Sequence, residues 1–431
     1  MNPRQLAFDL LQKAQKAGQY SNIALDKALS ASDMNELDAA LASTLFYGVI
    51  ERKITLDHRI SALSSRPLDT LDASVLTALR LGLYQLMFLD RIPAHAAINE
   101  TVSLCQRKSA GFVNAILRSH TRTDPTPLPN KESEPVSYLS TAYSINEELC
   151  EKFLSVYGFG RTESIFKAFC TTPSTTLRAN TLKINRDELA AHIPSATPTE
   201  LSPHGLHVRG AIRSLYGFSD GLFFVQDEAS QICVEAIGAK EGDTVMDICS
   251  CPGSKSFGAA INMGNVGKIF SYDLHEKKLS LIVSGAQRLG IDIITAEARD
   301  GRSFIPEMEK KADCVLCDVP CSNFGILAKK PELRYKSPSV SEALPDIQLA
   351  ILENACRYVK IGGRLVYSTC TVFPEENEEN VNRFLASHPE FSLTPFSSGA
   401  LNVTDGMITL LPDEHKTDGF FIAVLTRKEM P

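Results

Sequence analysis

This 431-residue sequence has no run long and apolar enough to cross a bilayer as a helix. Its longest uncharged apolar stretch, around Ala39 to Ile50, is about a dozen residues against the roughly 18 a span requires. The opening MNPRQLAFDLLQKAQ mixes charge and amide through its apolar positions and lacks a signal-peptide core, so a cytoplasmic protein with no membrane partner is expected. Internal repeats and low-complexity tracts are absent. The even-numbered cysteine set of a small secreted domain is absent too: there are 11 cysteines, and seven lie between 249 and 370. Missing as well is the three-glycine fingerprint of a dinucleotide site, because DICSCPGSKS (247–256) holds Gly253 alone.

What is present is the composition of a soluble globular protein, 44% hydrophobic and 22% charged, in a chain long enough for two or three domains. The net charge of −7 argues against indiscriminate nucleic-acid coating. Charge is uneven, however: residues 1–125 carry 14 Lys+Arg and 12 Asp+Glu, so the excess of acid lies in the remainder. Any RNA contact must come from local patches, of which Lys329, Lys330, Arg334 and Lys336 form the clearest; a solvated surface loop is the plain alternative. Cys249-x-Cys251 and Cys314-x2-Cys317-x3-Cys321 raise the question of a metal or iron–sulfur site. Yet Cys314 and Cys317 sit in an apolar strand pattern, where free cysteine acts as a small hydrophobe, and on a strand they face opposite sides. No metal is assigned.

Residues 1–125 read as helix after helix, with LDASVLTALRLGLYQLMFL apolar nearly all round, capped by Asp69 or Thr70 and central to a bundle. Residues 126–137 belong to a proline-rich linker. Residues 138–220 read as a small mixed α+β region, and 221–431 alternate strand and helix, which implies a doubly wound, mostly parallel sheet. GLFFV opens that last domain, and GMITLLPDEHKTDGFFIAVLTRK closes it as an antiparallel edge hairpin.

Ligands bind at the C-terminal strand ends of such sheets. The turn Cys249-Ser250-Cys251-Pro252-Gly253-Ser254-Lys255 leads into a helix N-terminus, which offers free N–H groups. Asp273 ends the next strand, placed for ribose hydroxyls, and Asp300 ends the third, placed for an adenine amino group. With Asp247 at the end of the first strand, three acids in register read as a nucleoside pocket. Cys321 (DVPCS) and Cys370 (YSTCT) end consecutive strands, neighbours about 4.8 Å apart in the usual order, so both thiols can reach one substrate. On its local surroundings, Asp318 and Pro320, Cys321 is the first choice of nucleophile.

The ordered set of motifs resembles the bacterial 16S rRNA cytosine-5 methyltransferases of the RsmB (Sun, Fmu) type over essentially the whole chain. LRLGLYQLMFLDRIPAHAAINETVSLC and FVNAILR resemble the NusB-like RNA-binding domain. RANTLKINRDEL resembles the second RNA-contacting region, and VQDEASQ the entry to a Rossmann-like class I methyltransferase domain. DICSCPGSK stands at the S-adenosylmethionine loop, DVPCS…KPELRY and YSTCT at the two cysteine motifs, and TDGFFIA at the terminal hairpin.

This resemblance implies S-adenosyl-L-methionine as cofactor and 16S rRNA as partner, in a chain expected to act as a monomer. It makes Cys370 the nucleophile toward cytosine C6 and moves Cys321 to product release as general base. It assigns Asp318 to the cytosine, beside the cofactor, which Cys249–Lys255, Asp273 and Asp300 would hold. The chain departs from the pattern at Cys251, where alanine is usual, and at Asn323-Phe324. It also has Gly253-Ser254-Lys255-Ser256 in place of Gly-Gly-Lys-Thr, and Ser254 costs cofactor affinity if its backbone needs positive φ. Rival readings are a non-catalytic RNA-binding or antitermination factor, an enzyme acting on a different RNA, and an iron–sulfur RNA-modifying enzyme. An N-methyltransferase would carry Asp/Asn-Pro-Pro-aromatic where this chain has Asp318-Val319-Pro320-Cys321.

Overall fold

The computed structural model describes residues 2–17, 22–171 and 174–429. The chain divides into two compact units, residues 1–170 with 329–338, and residues 171–328 with 339–431.

The first unit is helical, running from Pro3–Ala17 through Glu36–Glu51, Lys53–Leu63 and Ala73–Phe88 to Pro135–Tyr143 and Glu147–Phe169. Ala73–Phe88 is its centre: every residue from Val75 to Leu83 is buried, as an all-round apolar pattern demands. Its start lies beyond the expected caps. Asp69 and Thr70 form a 3-10 turn, and Asp72 takes the cap position without a side-chain bond. Arg80, buried in this helix, is neutralised by both carboxylate oxygens of Asp57 at 2.6 and 2.7 Å.

The proline-rich stretch does not link the two units. Arg59 holds its start, donating to Asp124 O and to the hydroxyls of Thr123 and Thr126, each at 2.8 Å. Two more helices of the same unit follow, so the compact unit runs on to residue 170, past residue 125, at which the first helical domain is expected to end. Proline marks the absence of regular structure there, not the absence of contacts.

Residues 329–338 are also built into this unit, although they follow a strand of the other. Arg334 is fully buried. Its guanidinium donates to Tyr143 O at 2.8 Å and Phe169 O at 2.6 Å, the last carbonyls of Pro135–Tyr143 and Glu147–Phe169. Helix C-termini present unpaired carbonyls, and one arginine here satisfies two of them. Tyr335 packs against the helical core, and its hydroxyl donates to Ile50 O.

Among the described residues the second unit holds two larger sheets and a two-stranded ribbon. Strands β1 (Thr175–Ala179), β2 (Thr197–Pro198), β3 (Gly205–Val208) and β4 (Phe223–Val225) form an antiparallel sheet in the order β2-β3-β1-β4. GLFFV therefore closes this small sheet, pairing with β1, rather than opening the large one. The large sheet comprises β5 (Thr244–Asp247), β6 (Lys268–Asp273), β7 (Ile294–Ala298), β8 (Ala312–Asp318), β9 (Val359–Thr369) and β10 (Phe391–Leu393). After the ribbon of β11 (Phe396–Ser398) and β12 (Leu401–Val403) come β13 (Met407–Leu410) and β14 (Phe420–Arg427).

The order of the large sheet is β10-β14-β9-β8-β5-β6-β7, with β13 also on β14. β9, β8, β5, β6 and β7 run parallel, and β14 is antiparallel to β9. β13 lies at the edge as expected, but β14 is interior. β8 shows why its sequence is nearly all apolar: Cys314 and Leu316 face one core, Val315 and Cys317 the other. The two cysteines lie on opposite faces, so they cannot share a metal. The strand order reverses between β8 and β5, which opens a crevice at their carboxyl ends. Among the described residues, no helix is long and apolar enough to cross a membrane.

Candidate active site at the carboxyl edge of the sheet

At the end of β5 the chain turns sharply through Cys249–Lys255. Ser250 anchors the turn to the next strand, with its N–H and hydroxyl both donating to Tyr272 O at 2.7 and 2.9 Å. The Cys251–Pro252 peptide is cis. Gly253 has φ +106, and a Cβ there would lie 2.6 Å from the Phe257 ring, so the position demands glycine. Ser254 is the first residue of helix Ser254–Asn262 and has no positive φ. Its serine therefore costs no backbone strain, and the condition on which lost affinity depended is not met.

Asp273, ending β6, accepts from Cys251 N at 3.3 Å and His275 N at 2.9 Å. Asp247, ending β5, is buried and pushed up to about 7 by loss of solvent, against the hydrogen bond from Ser256. Its Oδ1 is buried without a partner. Asp300 lies two residues beyond β7 and is held by Arg302, whose hydrogen bonds lower its carboxyl. Burial raises the thiols of Cys249 and Cys251, the latter to about 12. A turn that only glycine can make, an adjoining helix N-terminus and acids at successive strand ends fit a cationic nucleoside such as S-adenosylmethionine.

Across the crevice, Asp318 ends β8 opposite Ser368 of β9. Its Oδ1 accepts from the Ser368 hydroxyl at 2.8 Å, and its Oδ2 from Lys255 Nζ at 2.6 Å. Burial alone would lower the Lys255 ammonium, but Asp318 beside it, with Cys233 and Asp247, keeps it above its ordinary value. Lys255, expected at the cofactor, is thus the counterion of Asp318. Each Asp318 oxygen keeps lone-pair capacity beyond its one bond, and the side chain is 31% exposed.

The two thiols meet. Cys321 Sγ and Cys370 Sγ lie 3.1 Å apart, and Cys370 N–H donates to Cys321 Sγ at 3.2 Å. Contact with Cys370 pushes the Cys321 thiol well up, burial adds to this, and Glu376 contributes. Asn323 adopts φ +64, a conformation asparagine tolerates better than most residues. Its Oδ1 accepts from Cys370 Sγ at 3.1 Å, and its Nδ2 donates to Cys321 O at 2.7 Å. Gly325 passes so close to Gly419 that an added Cβ would lie 1.9 Å from Gly419 O. A Cβ at Gly419 would in turn lie 2.5 Å from Val372 Cγ1 and 2.8 Å from Gly325 Cα, which accounts for the glycine in the TDGFFIA motif. The sequence reading noted Asn323 only as a departure and missed its contact with Cys370; the available signal was an asparagine directly after Cys-Ser at a strand end.

The basic patch is divided. Lys329 and Lys330 are exposed and Lys336 is partly so, whereas Arg334 is committed to helix carbonyls and presents no surface charge. Its expected RNA contact is corrected accordingly. Among the described residues no three His, Cys, Asp or Glu side chains are grouped to hold a metal.

Residues 234–426 match the family described as 16S rRNA methyltransferase RsmB/F, and residues 1–122 match the NusB family. The probable ribosomal RNA small subunit methyltransferase B of Bacillus subtilis (strain 168) is 35% identical over 448 residues, 99% of this chain and 98% of that one. Its counterpart of the same name in Synechocystis sp. is 36% identical over 445 residues, 99% and 100% of the two chains. Of solved structures, the crystal structure of PH0851 superposes with a TM-score of 0.81 at 27% identity, covering 99% of each chain. Identity of this extent across both units means that the chain belongs to the RsmB family of S-adenosylmethionine-dependent methyltransferases of small-subunit ribosomal RNA.

Proposed function

We propose that the chain methylates C5 of one cytosine in 16S rRNA through a covalent bond between Cys370 and cytosine C6. The observation that carries this reading is the thiol pair, 3.1 Å apart beside Asp318. C5 of cytosine is too weak a nucleophile to take a methyl group unaided. Cys370 gives up its thiol proton and adds to C6 as thiolate, which places electron density on C5, and N3 takes up a proton in exchange, which it returns to solvent when the ring is released. Asp318 accepts from that N3–H and from the exocyclic amine, using the lone pairs left by Ser368 and Lys255. S-adenosylmethionine, when bound, supplies the electrophilic methyl group and a positive charge. C5 takes the methyl, and one proton at C5 must then leave.

Cys321 removes that proton. The electron pair of the C5–H bond restores the C5–C6 double bond, and Cys370 departs as thiolate. The order of events follows from the environment. The first cause of Cys321's raised thiol is its hydrogen bond with Cys370, and a Cys370–C6 bond removes that cause. Cys321 therefore becomes easier to ionise once the adduct exists, which is when a base is required. Turning a paired cytosine out of its stack costs about a few kcal/mol, and Lys329, Lys330 and Lys336 are proposed separately as phosphate contacts of the helical unit.

Incubation with 16S rRNA and S-adenosylmethionine tests the roles. Cys370→Ala should give neither methylation nor a denaturation-resistant protein–RNA adduct, and Cys321→Ala should accumulate the adduct. An exchange of these two behaviours would overturn the assignment. Bisulfite sequencing of rRNA from a strain lacking the gene identifies the nucleotide, and unchanged 16S rRNA would redirect the search to another RNA.

A further inference from the structure

Directly after the second cysteine motif comes PEEN, residues 374–377, to which the mechanism above gives no task. Glu376 and Asn377 are both buried, at 1% and 0% exposure. Glu376 Oε2 accepts from Ser322 N at 2.9 Å and from Gln348 Nε2 at 2.8 Å, and the same Gln348 nitrogen donates to Pro320 O at 3.0 Å. The residues on both sides of Cys321 are thereby held by one carboxyl–amide pair. Gln348 cannot turn over, because its Oε1 accepts from Asn380 Nδ2 at 3.1 Å.

Asn377 treats Cys370 in the same way. Its Oδ1 accepts from the Thr369 hydroxyl at 2.5 Å, and its Nδ2 donates to Thr371 O at 3.1 Å. The two clamps are joined by the bond from the Ser322 hydroxyl to Thr371 Oγ1 at 2.8 Å. Two adjacent residues of one backbone thus hold the flanks of the two thiols, each its own, with no flexible segment between them.

We infer that Glu376-Asn377 is a positioning dipeptide that sets the two cysteines in register, Asn377 governing adduct formation at Cys370 and Glu376 governing release at Cys321. Glu376 Oε1 is buried with no hydrogen-bond partner, a cost the fold would avoid if the carboxyl only filled space. Glutamine would serve Ser322 equally well as an acceptor. A carboxyl at this place also acts on Cys321 through its charge, raising the thiol after the hydrogen bond with Cys370 and burial.

The inference rests on the covalent reading, and its test separates the two. The full chain is incubated with 16S rRNA and S-adenosylmethionine, and adduct and methylated product are followed in time. Cys321→Ala alone must trap adduct; if it does not, the covalent reading fails, and this inference with it. In the Cys321→Ala background, Asn377→Asp and Thr369→Val should each slow adduct formation by about tenfold or more, since a misaimed thiol forfeits orientation. With both cysteines present, Glu376→Met and Gln348→Met, which remove the acceptor and the donor of this clamp, should do the opposite: adduct accumulates because release is slowed by about tenfold, while its formation changes by less than about threefold. General loosening of the fold would depress formation and release together. Parallel losses in all four variants, or no change in any, would overturn the inference, and thermal unfolding of each identifies variants that merely unfold.

Discussion

Replacing Arg334 with methionine separates two roles that basic composition cannot tell apart. If Arg334 contacts RNA, the variant should leave stability alone and reduce the salt dependence of RNA binding by about one phosphate contact, roughly 0.7–0.9 in the slope of log K against log salt. The structure requires the opposite. Its guanidinium satisfies Tyr143 O at 2.8 Å and Phe169 O at 2.6 Å, while Cys170 Sγ at 3.5 Å adds little. Hydrogen bonds from a charged donor contribute about 1.5–3 kcal/mol each, so the gross loss is about 3–6 kcal/mol. Desolvation of a guanidinium whose Nε has no partner offsets part of that, leaving about 3 kcal/mol. For a unit of this size each kcal/mol shifts Tm by about 2–4 °C, so the first calorimetric transition should fall by about 6–12 °C. Filter binding at several salt concentrations, well below that transition, should show an unchanged slope. A shallower slope with Tm held within about 2 °C would refute the structural role.

Gly325→Ala places a Cβ 1.9 Å from Gly419 O and 2.9 Å from Cys370 O, both backbone atoms, and should abolish methyl transfer in a tritium-release assay; near-normal turnover would show that the contact can relax. Ser254→Gly should leave S-adenosylmethionine affinity within about twofold by calorimetry, whereas Gly253→Ala, forced to hold φ +106, should weaken it by about tenfold or more. Lys255→Met strips Asp318 of its counterion and should slow single-turnover methylation by about a hundredfold, with Lys255→Arg partly restoring it; equal rates for both would remove the ion pair from the mechanism. Asp247 has a folded value of about 7, above its unfolded value, so it contributes full stability below about pH 4 and loses it as pH rises from about 4 to 7. Asp247→Asn should therefore gain stability over the parent at pH 8 and lose that advantage by pH 4 in denaturant titrations.

The strands that carry the site were legible because a parallel strand covered on both faces must be apolar throughout and polar where it ends. TVMD, KIFSYD and ADCVLCD all follow that rule, and their terminal acids stand where it put them. The central helix was legible for the same reason: burial on every side leaves no polar face. The unit boundary was not, because proline content reports local conformation and Arg59 makes its contacts about 65 residues away. Arg334 misled in the same manner. Its charge is local information, but its burial depends on carbonyls 165 and 191 residues earlier. Ser254 misled by one position, since the left-handed turn ends at Gly253 and the helix begins at the next residue.

Local sequence favours Cys321 as nucleophile, whereas the role proposed for it above is that of base. Asp318 and Pro320 do frame Cys321, and proximity to a carboxylate in a turn is a fair sign of chemistry. Framing and reach are different requirements, however. Cys321 is 9% exposed, its thiol receives the Cys370 N–H, and its neighbours are held on both sides from beneath. A group so fixed is suited to taking a proton from an atom brought to it. Cys370 is held at its flanks as Cys321 is, and what sets it apart is that it is partly exposed at the neighbouring strand end, as the nucleophile role proposed for it requires. Asn323 holds its sulfur at 3.1 Å and Cys321 meets it at 3.1 Å, so the attack proposed above would begin by breaking weak thiol hydrogen bonds rather than by unpacking a core.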